Sequence, residues 1–214
     1  MSKISNDLIR EAIAKSLDDR KKRKFVETFD LQVMLRDYDP NKDKRFNSSY
    51  PLDYNCRSNM KVCLVGTVNH IDEAKKMGID FKSMDDLKKF NKEAKEIKKW
   101  ARKYDVLIVS ESIAKNVTRT VGRYLTSIGK VPTQISDNEK VQDKVDELMK
   151  TIRFRVKKFP WLAQGVAIDT LDPEQIRENV TKSINFLVSL LPKGWHNLKS
   201  VHLKTTMGKP NRLL

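Results

Sequence analysis

The sequence predicts an α/β protein of two domains, in which an inserted three-layer α/β domain with a parallel sheet interrupts an α+β domain formed by both termini. The inserted domain is expected at residues 60–150, and the α+β domain at residues 1–59 and 151–214. In the middle of the chain, short continuous apolar runs alternate with helical patterns, which is typical of βαβ units. Near both ends the strands instead alternate apolar and polar residues, as in antiparallel sheets with one face in water. A length of 214 residues suffices for two modest domains.

The first terminal segment predicts a helix, a strand and a long polar connection. Apolar residues recur at helical spacing within residues 5–17, which indicates an amphipathic helix. Residues 20–24 are all cationic and form either an RNA-facing patch or a solvated helix end. Residues 25–36 alternate as a strand, with Phe25 on its apolar side. Residues 37–59 are rich in Asp, Asn, Ser, Pro and Lys and predict an extended loop or an irregular strand.

The middle segment predicts buried strands separated by helices. Short continuous apolar runs indicate the strands, and apolar residues at helical spacing indicate the helices. Strands are expected at 61–65 and 106–109, an extended segment at 130–135, and helices at 71–77, 85–103, 112–125 and 138–150.

The second terminal segment predicts strands, one long helix and a final strand. Residues 151–157 and 162–168 are expected as strands, with Pro160 in the turn between them. The run Asp172-Pro173-Glu174-Gln175 is a strong helix start, because it combines a capping residue, Pro at the first helical position and Gln at the third. This helix is expected to end near Leu191, and residues 198–206 form the last strand.

The charge distribution favours a polyanionic partner. The net charge is +15, and residues 151–214 carry 11 basic and 4 acidic side chains. A basic excess concentrated in a terminal segment is most often matched to nucleic acid, whose phosphates give a salt-dependent affinity.

Several function classes are not supported by the sequence. Neither a phosphate-binding loop nor a Gly-rich dinucleotide fingerprint occurs, and no nucleophile and base pair stands out, so we expect no enzyme, no cofactor and no small-molecule substrate. Cys56 and Cys63 have no zinc-like spacing, and the three histidines, expected as ordinary surface or strand residues, have no ligand spacing, so no metal is expected. Without a signal peptide or membrane span, we expect the cytosol.

The end of the chain has the residue types that suit close contact with RNA. A Met-Gly corner and a basic tail follow the last strand, and Gly208 lets a backbone approach a phosphate closely. The hydroxyls of Thr205 and Thr206 are small enough to reach a ribose or a phosphate. Met207 can pack on a ribose or base edge without polar demands.

This tail resembles the Thr-Met-Gly signature of the ribosomal protein L-one family, RNA-binding proteins of the mobile stalk beside the exit site for tRNA. Residues 207–213, 39–46 and 185–191 resemble the eukaryotic branch, also called L-ten-a, and the likeness covers nearly the whole chain. The bacterial pattern places Pro directly after Met-Gly, whereas this chain has Lys209 first.

The resemblance implies a non-enzymatic constituent of the large ribosomal subunit, present once per ribosome in the cytoplasm. Its expected partners are large-subunit rRNA and, transiently, the exit-site tRNA that it helps to release, with no membrane involved. The implied RNA-binding residues lie at the head of the first strand and along the last strand with its turn. They are Lys24, Phe25, Glu27, Thr28, Ser200, Thr205, Thr206, Met207 and Gly208.

Other interpretations stay open at this point. The protein could repress translation by binding its own mRNA, or residues 60–150 could form an enzyme that binds a nucleotide near Gly66 and Ser110. Helix capping, by Ser110 or Ser112, is the preferred explanation of the serines that follow the strand at 106–109. For Phe25 the alternative to an RNA contact is packing in the core. For residues 206–208 the alternative to an RNA contact is an ordinary turn.

Overall fold

The chain divides into two compact units, which we describe separately. A computed structural model describes residues 4–19, 21, 23–90 and 93–214. The terminal unit comprises the chain up to Ser58 together with Leu148–Leu214, and the inserted unit comprises Asn59–Glu147. The combination of an antiparallel sheet in the first and a parallel sheet in the second confirms the predicted α/β class.

The terminal unit is built on an antiparallel sheet with helices on one face. The strands are β1 (Thr28–Leu35), β2 (Asn47–Pro51), β7 (Thr151–Arg155), β8 (Trp161–Ile168), β9 (Leu198–Thr205) and β10 (Asn211–Arg212), and the helices are α1 (Asn6–Asp18) and α8 (Pro173–Leu190). The main sheet has the strand order β10-β9-β1-β8, and β2 pairs with β7 antiparallel. Helices α1 and α8 pack on each other and on the sheet.

Period-two alternation gives this sheet an apolar inner face and a polar outer face. On β1, Phe29, Leu31 and Val33 are buried against the helices, and on β9, Val201 and Leu203 are buried in the same core. The residues between them point outward, so one face of the sheet stays open to solvent.

Local capping starts both helices of the terminal unit, and at α8 it is the capping that the sequence predicts. Ser5 precedes α1 and accepts a hydrogen bond from the Leu8 N–H at 3.3 Å. Helix α8 starts at Pro173, and the Asp172 N–H donates to Gln175 Oε1 at 3.3 Å. Both predicted helices are confirmed.

The inserted unit contains a parallel sheet in the order β4-β3-β5-β6. Its strands are β3 (Val62–Val65), β4 (Asp80–Lys82), β5 (Val106–Ser110) and β6 (Thr133–Ile135). Its helices are α2 (Val68–Lys76), α3 (Met84–Lys88), α4 (Ala94–Arg102), α5 (Glu111–Val117), α6 (Arg123–Ile128) and most of α7 (Val141–Lys150), with a π-helical turn, Thr118–Gly122, between α5 and α6. Continuous apolar strands such as β3 are buried on both faces, as parallel strands are.

Four local predictions are wrong. The single helix predicted over residues 85–103 is wrong, because α3 ends at Lys88 and α4 begins at Ala94. The apolar residues keep a helical spacing across this break, so the sequence pattern does not reveal it. Residues 91–92 of the predicted helix lie outside the described part of the chain. Ser110 stands at the N-cap position of α5, but its side chain accepts no capping hydrogen bond from that helix. His70, expected at the surface or on a strand, is buried on α2 with its Nδ1 2.7 Å from Ser110 Oγ. Strand β1 begins at Thr28, so Phe25 is not part of it, and Phe25 is 52% exposed. The prediction that Phe25 lies on the apolar side of the strand is therefore wrong, and so is the alternative that it packs in the core.

Candidate nucleic-acid interface

The head of β1 and the turn after β9 lie side by side in the terminal unit. We call this surface the ledge and define it by the predicted residues that meet or flank this junction. They are Lys24, Phe25, Glu27, Thr28, Thr205, Thr206, Met207 and Gly208. Phe29 is paired with Thr205 in the sheet, and this register brings the two segments together although they lie far apart in sequence.

Threonine hydroxyls join the two halves of the ledge. The Thr28 N–H donates to Thr206 Oγ1 at 3.0 Å, and the two threonine Oγ1 atoms lie 3.1 Å apart. Thr206 Oγ1 also lies 3.3 Å from the Thr28 carbonyl oxygen, to which it can donate. Small polar groups held on a rigid sheet present hydrogen-bonding atoms in a fixed geometry.

A buried carboxylate anchors the turn. Glu27 is only 3% exposed, and its Oε2 accepts a hydrogen bond from the Met207 N–H at 3.2 Å. Its other oxygen, Oε1, lies 3.1 Å from Arg23 Nε, which compensates the buried charge. The sequence prediction named Glu27 but missed Arg23 as its partner. The available signal was that Arg23 belongs to the basic run at residues 20–24. Arg20 and Lys22 of that run lie outside the described residues.

The Met-Gly corner is closed tightly on Thr205. The Gly208 N–H donates to the Thr205 carbonyl at 3.1 Å. A Cβ on Gly208 would overlap Thr205 Oγ1, so the corner has no room for a side chain there. Thr205 Oγ1 is itself buried and has no hydrogen-bond partner among the residues that the structure describes.

Exposed side chains surround this rigid core of the ledge. Phe25 is 52% exposed and Met207 is 59% exposed, and Lys24 is also open to solvent. Large apolar side chains that stay in water beside cations suit a ligand with both flat apolar faces and negative charge.

Ser200 lies apart from the other predicted residues. It faces Met34 across the β1–β9 pair, six positions along β9 from Thr206, which corresponds to about 20 Å. The outer face between them carries His202 opposite Gln32 and Lys204 opposite Asp30. Burial raises the pKa of the Asp30 carboxyl above its usual value, while the Thr28 hydroxyl and Lys204 act in the opposite direction.

The described part of the chain has neither a metal-binding cluster nor a membrane-spanning helix. No cluster of three or more His, Cys, Asp or Glu side chains that could hold a metal ion occurs there. No helix among these residues has the length and apolarity needed to cross a membrane.

A two-unit α/β fold with a polar, cation-flanked ledge and close sequence relatives among ribosomal proteins define the class of this chain as a ribosomal protein. A sequence model of the "Ribosomal protein L1p/L10e family" matches residues 16–209. The chain belongs to this family, which confirms the resemblance found in its sequence. The family is structural and non-enzymatic, so the nucleotide-binding enzyme considered from the sequence is excluded.

Curated relatives from plants, animals and fungi match the whole chain. "Large ribosomal subunit protein uL1" of Caenorhabditis elegans is 46% identical over 215 aligned positions, and the protein of the same name from Oryza sativa subsp. japonica is 43% identical over 217. "Large ribosomal subunit protein uL1A" of Schizosaccharomyces pombe is 44% identical over 217. Each alignment covers 100% of this chain and 100% of the relative.

Proposed function

We propose that this chain is a structural constituent of the large ribosomal subunit and that it holds large-subunit rRNA at the mobile stalk through the ledge. The names of its curated relatives support the first statement, since each is called a large ribosomal subunit protein. The observation that carries the second is the interlocked geometry of the ledge, in which Thr28, Thr206 and the buried Glu27 fix the Met-Gly corner.

The ledge has the properties that recognition of folded RNA requires. Proteins bind structured RNA through its shape, its ribose hydroxyls and its phosphates, and stack exposed bases on aromatic rings. The threonine hydroxyls of the ledge offer fixed hydrogen bonds, Phe25 offers a ring and Lys24 a positive charge. The net charge of +15 adds the salt-dependent attraction that phosphates provide.

The finer parts of the function concern tRNA and cellular location. We propose that the protein, present once per ribosome in the cytoplasm, contacts exit-site tRNA transiently and assists the release of deacylated tRNA. The measurement is a chase of labelled deacylated tRNA from large subunits with and without the protein. We expect slower release without it, and equal rates would refute this part of the proposal.

Filter binding of a stalk rRNA fragment tests the ledge. We expect Phe25→Ala to weaken binding by about 1–3 kcal/mol, the range for a lost aromatic stack on a base. Met207→Ala removes a half-exposed apolar contact and is expected to cost about 1–2 kcal/mol. Because both side chains are exposed in the free protein, neither change should disturb the fold.

The inserted unit supplies matched controls for these variants. Phe81→Ala and Met77→Ala also remove exposed side chains of the same kinds, and they should leave rRNA affinity unchanged. Equal affinities for ledge and control variants would exclude the ledge as the rRNA site. Repression of the protein's own mRNA would use the same surface, and competition between the mRNA leader and the rRNA fragment separates the two functions.

A further inference from the structure

Phe159 and Trp161 form an exposed aromatic pair at the end of the sheet of the terminal unit that lies away from the ledge. Phe159 is 59% exposed and Trp161 is 57% exposed. Their ring centroids lie 6.3 Å apart with an interplanar angle of 14°, which is a stacked arrangement. Two adjacent large rings that both remain in water form an apolar patch of the kind that marks an interaction site.

The backbone holds this aromatic pair in place. Pro160 lies between the two aromatic residues in the chain, and its carbonyl accepts a hydrogen bond from the Leu35 N–H at 2.8 Å. Trp161 is paired with Met34 as the first residue of β8. The sheet therefore presents Trp161, and the bend that this hydrogen bond ties to Leu35 presents Phe159. Both constraints reduce the conformational entropy that a ligand must remove on binding.

Exposed cations line the grooves beside the pair. Two adjoining grooves of about 250 and 680 Å³ have the aromatic pair in their walls, and among the described residues no carboxylate lines either groove. The cations that line them are Arg45, Arg153, Arg155, Lys157 and Lys158. Within the described part of the chain, none of these five side chains forms an ion pair.

Neutral partners orient two of these cations without reducing their charge. The Arg153 Nε donates to Asn47 Oδ1 at 2.7 Å, and the Arg45 Nε donates to the Pro40 carbonyl at 2.6 Å. On β7, Arg153 and Arg155 alternate with the buried Ile152 and Phe154, so both arginines stand on the exposed side of the strand. The surface thus presents fixed positive charge beside a flat apolar face.

We propose that this surface is a second RNA-binding site, in which unpaired bases stack on Phe159 and Trp161 while the surrounding arginines and lysines contact the adjoining phosphates. Sites that hold single-stranded RNA combine these two features, a positively charged groove and aromatic rings that accept any base. An acidic peptide would satisfy the cations but would leave the ring faces without flat partners. The choice of RNA as the polyanion rests on the proposed function.

The position of the aromatic pair makes it a site separate from the ledge. Thr28 lies at one end of β1, whereas Met34, the partner of Trp161, lies six residues further along, about 20 Å away. Ser200 lies in the same row as Met34 and Trp161, so this predicted RNA contact belongs spatially to the aromatic end of the sheet. An RNA that contacts both sites must therefore span about 20 Å.

Binding of short RNA probes to the full chain tests the proposal. The probes are a single-stranded hexaadenylate, an abasic hexamer with the same phosphates, and a hexaglutamate peptide, each followed by fluorescence anisotropy at low salt. Trp161→Thr removes the ring and keeps a β-branched residue in the strand, whereas Trp161→Phe retains a ring. Phe81→Ala, an exposed ring of the inserted unit, is the matched control.

We expect hexaadenylate to bind the wild type and to quench its tryptophan fluorescence, with affinity lowered roughly 5- to 150-fold by Trp161→Thr, the range for one lost stack. Trp161→Phe and Phe81→Ala should bind within about twofold of the wild type, because each retains an aromatic ring at position 161 beside Phe159. Abasic RNA or hexaglutamate binding as tightly as hexaadenylate would overturn the proposal, as would unchanged affinity of Trp161→Thr.

The stalk rRNA fragment distinguishes failure of this site from failure of the ledge. Loss of rRNA affinity in Phe25→Ala with unchanged hexaadenylate binding in Trp161→Thr would refute the second site and leave the proposed function intact. The opposite result, in which Phe25→Ala binds the rRNA fragment normally while Trp161→Thr loses hexaadenylate, would refute the ledge and retain the aromatic site.

Discussion

The closed Met-Gly corner allows a quantitative prediction about Gly208 and Thr205. A Cβ added at Gly208 overlaps Thr205 Oγ1, while the Thr205 Cβ and N atoms would lie at ordinary contact distances of 3.5 and 3.7 Å. The hydroxyl alone is therefore the obstacle. Because Thr205 is fully buried, it has little room to rotate away, and we expect Gly208→Ala to destabilise the terminal unit by about 1–3 kcal/mol, the usual cost of overpacking.

Thr205→Ala should relieve this overlap. Taken alone, the change removes a buried methyl group, worth about 1 kcal/mol, and also a buried hydroxyl without a partner among the described residues, whose removal is favourable by a similar amount. We therefore expect Thr205→Ala to be nearly neutral. In the double variant, Gly208→Ala should cost less than about 1 kcal/mol, which gives a coupling energy of about 1–2 kcal/mol.

Hydrogen exchange of the β9 amides in increasing urea is the appropriate assay, because it reports the terminal unit alone in a chain that need not unfold in one step. The double-mutant cycle compares the wild type, both single variants and the double variant. If the double variant is as unstable as Gly208→Ala, the two changes are additive, and the overlap with Thr205 Oγ1 is not the reason that glycine stands at this corner.

Three further predictions concern titratable and buried groups. Burial raises the pKa of Asp30 in the folded state, so the stability that its protonation contributes is present below the ordinary carboxyl pKa and is lost as the pH rises through the raised value. Asp30→Asn should therefore increase the urea midpoint at pH 7. The stability gain of this variant over the wild type should vanish below about pH 4. Burial raises the pKa of Cys63 to about 12 and also raises that of Cys56, so neither thiol should react with iodoacetamide at pH 8 until its own unit opens, which mass spectrometry of the labelled peptides can measure. Glu27→Ala should destabilise the ledge by about 2–3 kcal/mol, measured by hydrogen exchange of the Met207 amide, because it leaves both that N–H and Arg23 without their partner. Glu27→Gln keeps an acceptor for the N–H and should cost about 1 kcal/mol. Equal costs of the two variants would contradict the role given to the hydrogen bond from the Met207 N–H.

Much of the fold could be predicted because its signals are local. The periodicity before Leu17, the Asp172-Pro173 helix start and the apolar run of β3 each depend on neighbouring residues only, and each is confirmed. The break between α3 and α4 could not be predicted from periodicity, because Leu87 and Ile97 are both buried and the apolar pattern runs through it. Strand β10 has only two residues, too few for a pattern to show.

The candidate site was only partly predictable because it depends on register. The motif at residues 206–208 located one half of the ledge, and the resemblance supplied the other half. That Met207 bonds to Glu27 and that Ser200 lies about 20 Å away follow from the pairing of β1 with β9, which no local pattern encodes. For the same reason the aromatic pair was missed, since Phe159 and Trp161 gain meaning only beside the cations of β7.

The central place of β1 in its sheet has a consequence for biosynthesis. Both of its neighbours, β8 and β9, come from the second terminal segment, so a nascent chain that has made Leu35 must wait until Thr205 before every backbone group of β1 can pair. At roughly 5–20 residues per second this interval lasts roughly 10–30 s. Meanwhile the apolar side chains Phe29, Leu31 and Val33 lack the rest of their core while the inserted unit is completed, so we expect this strand to need protection by a chaperone.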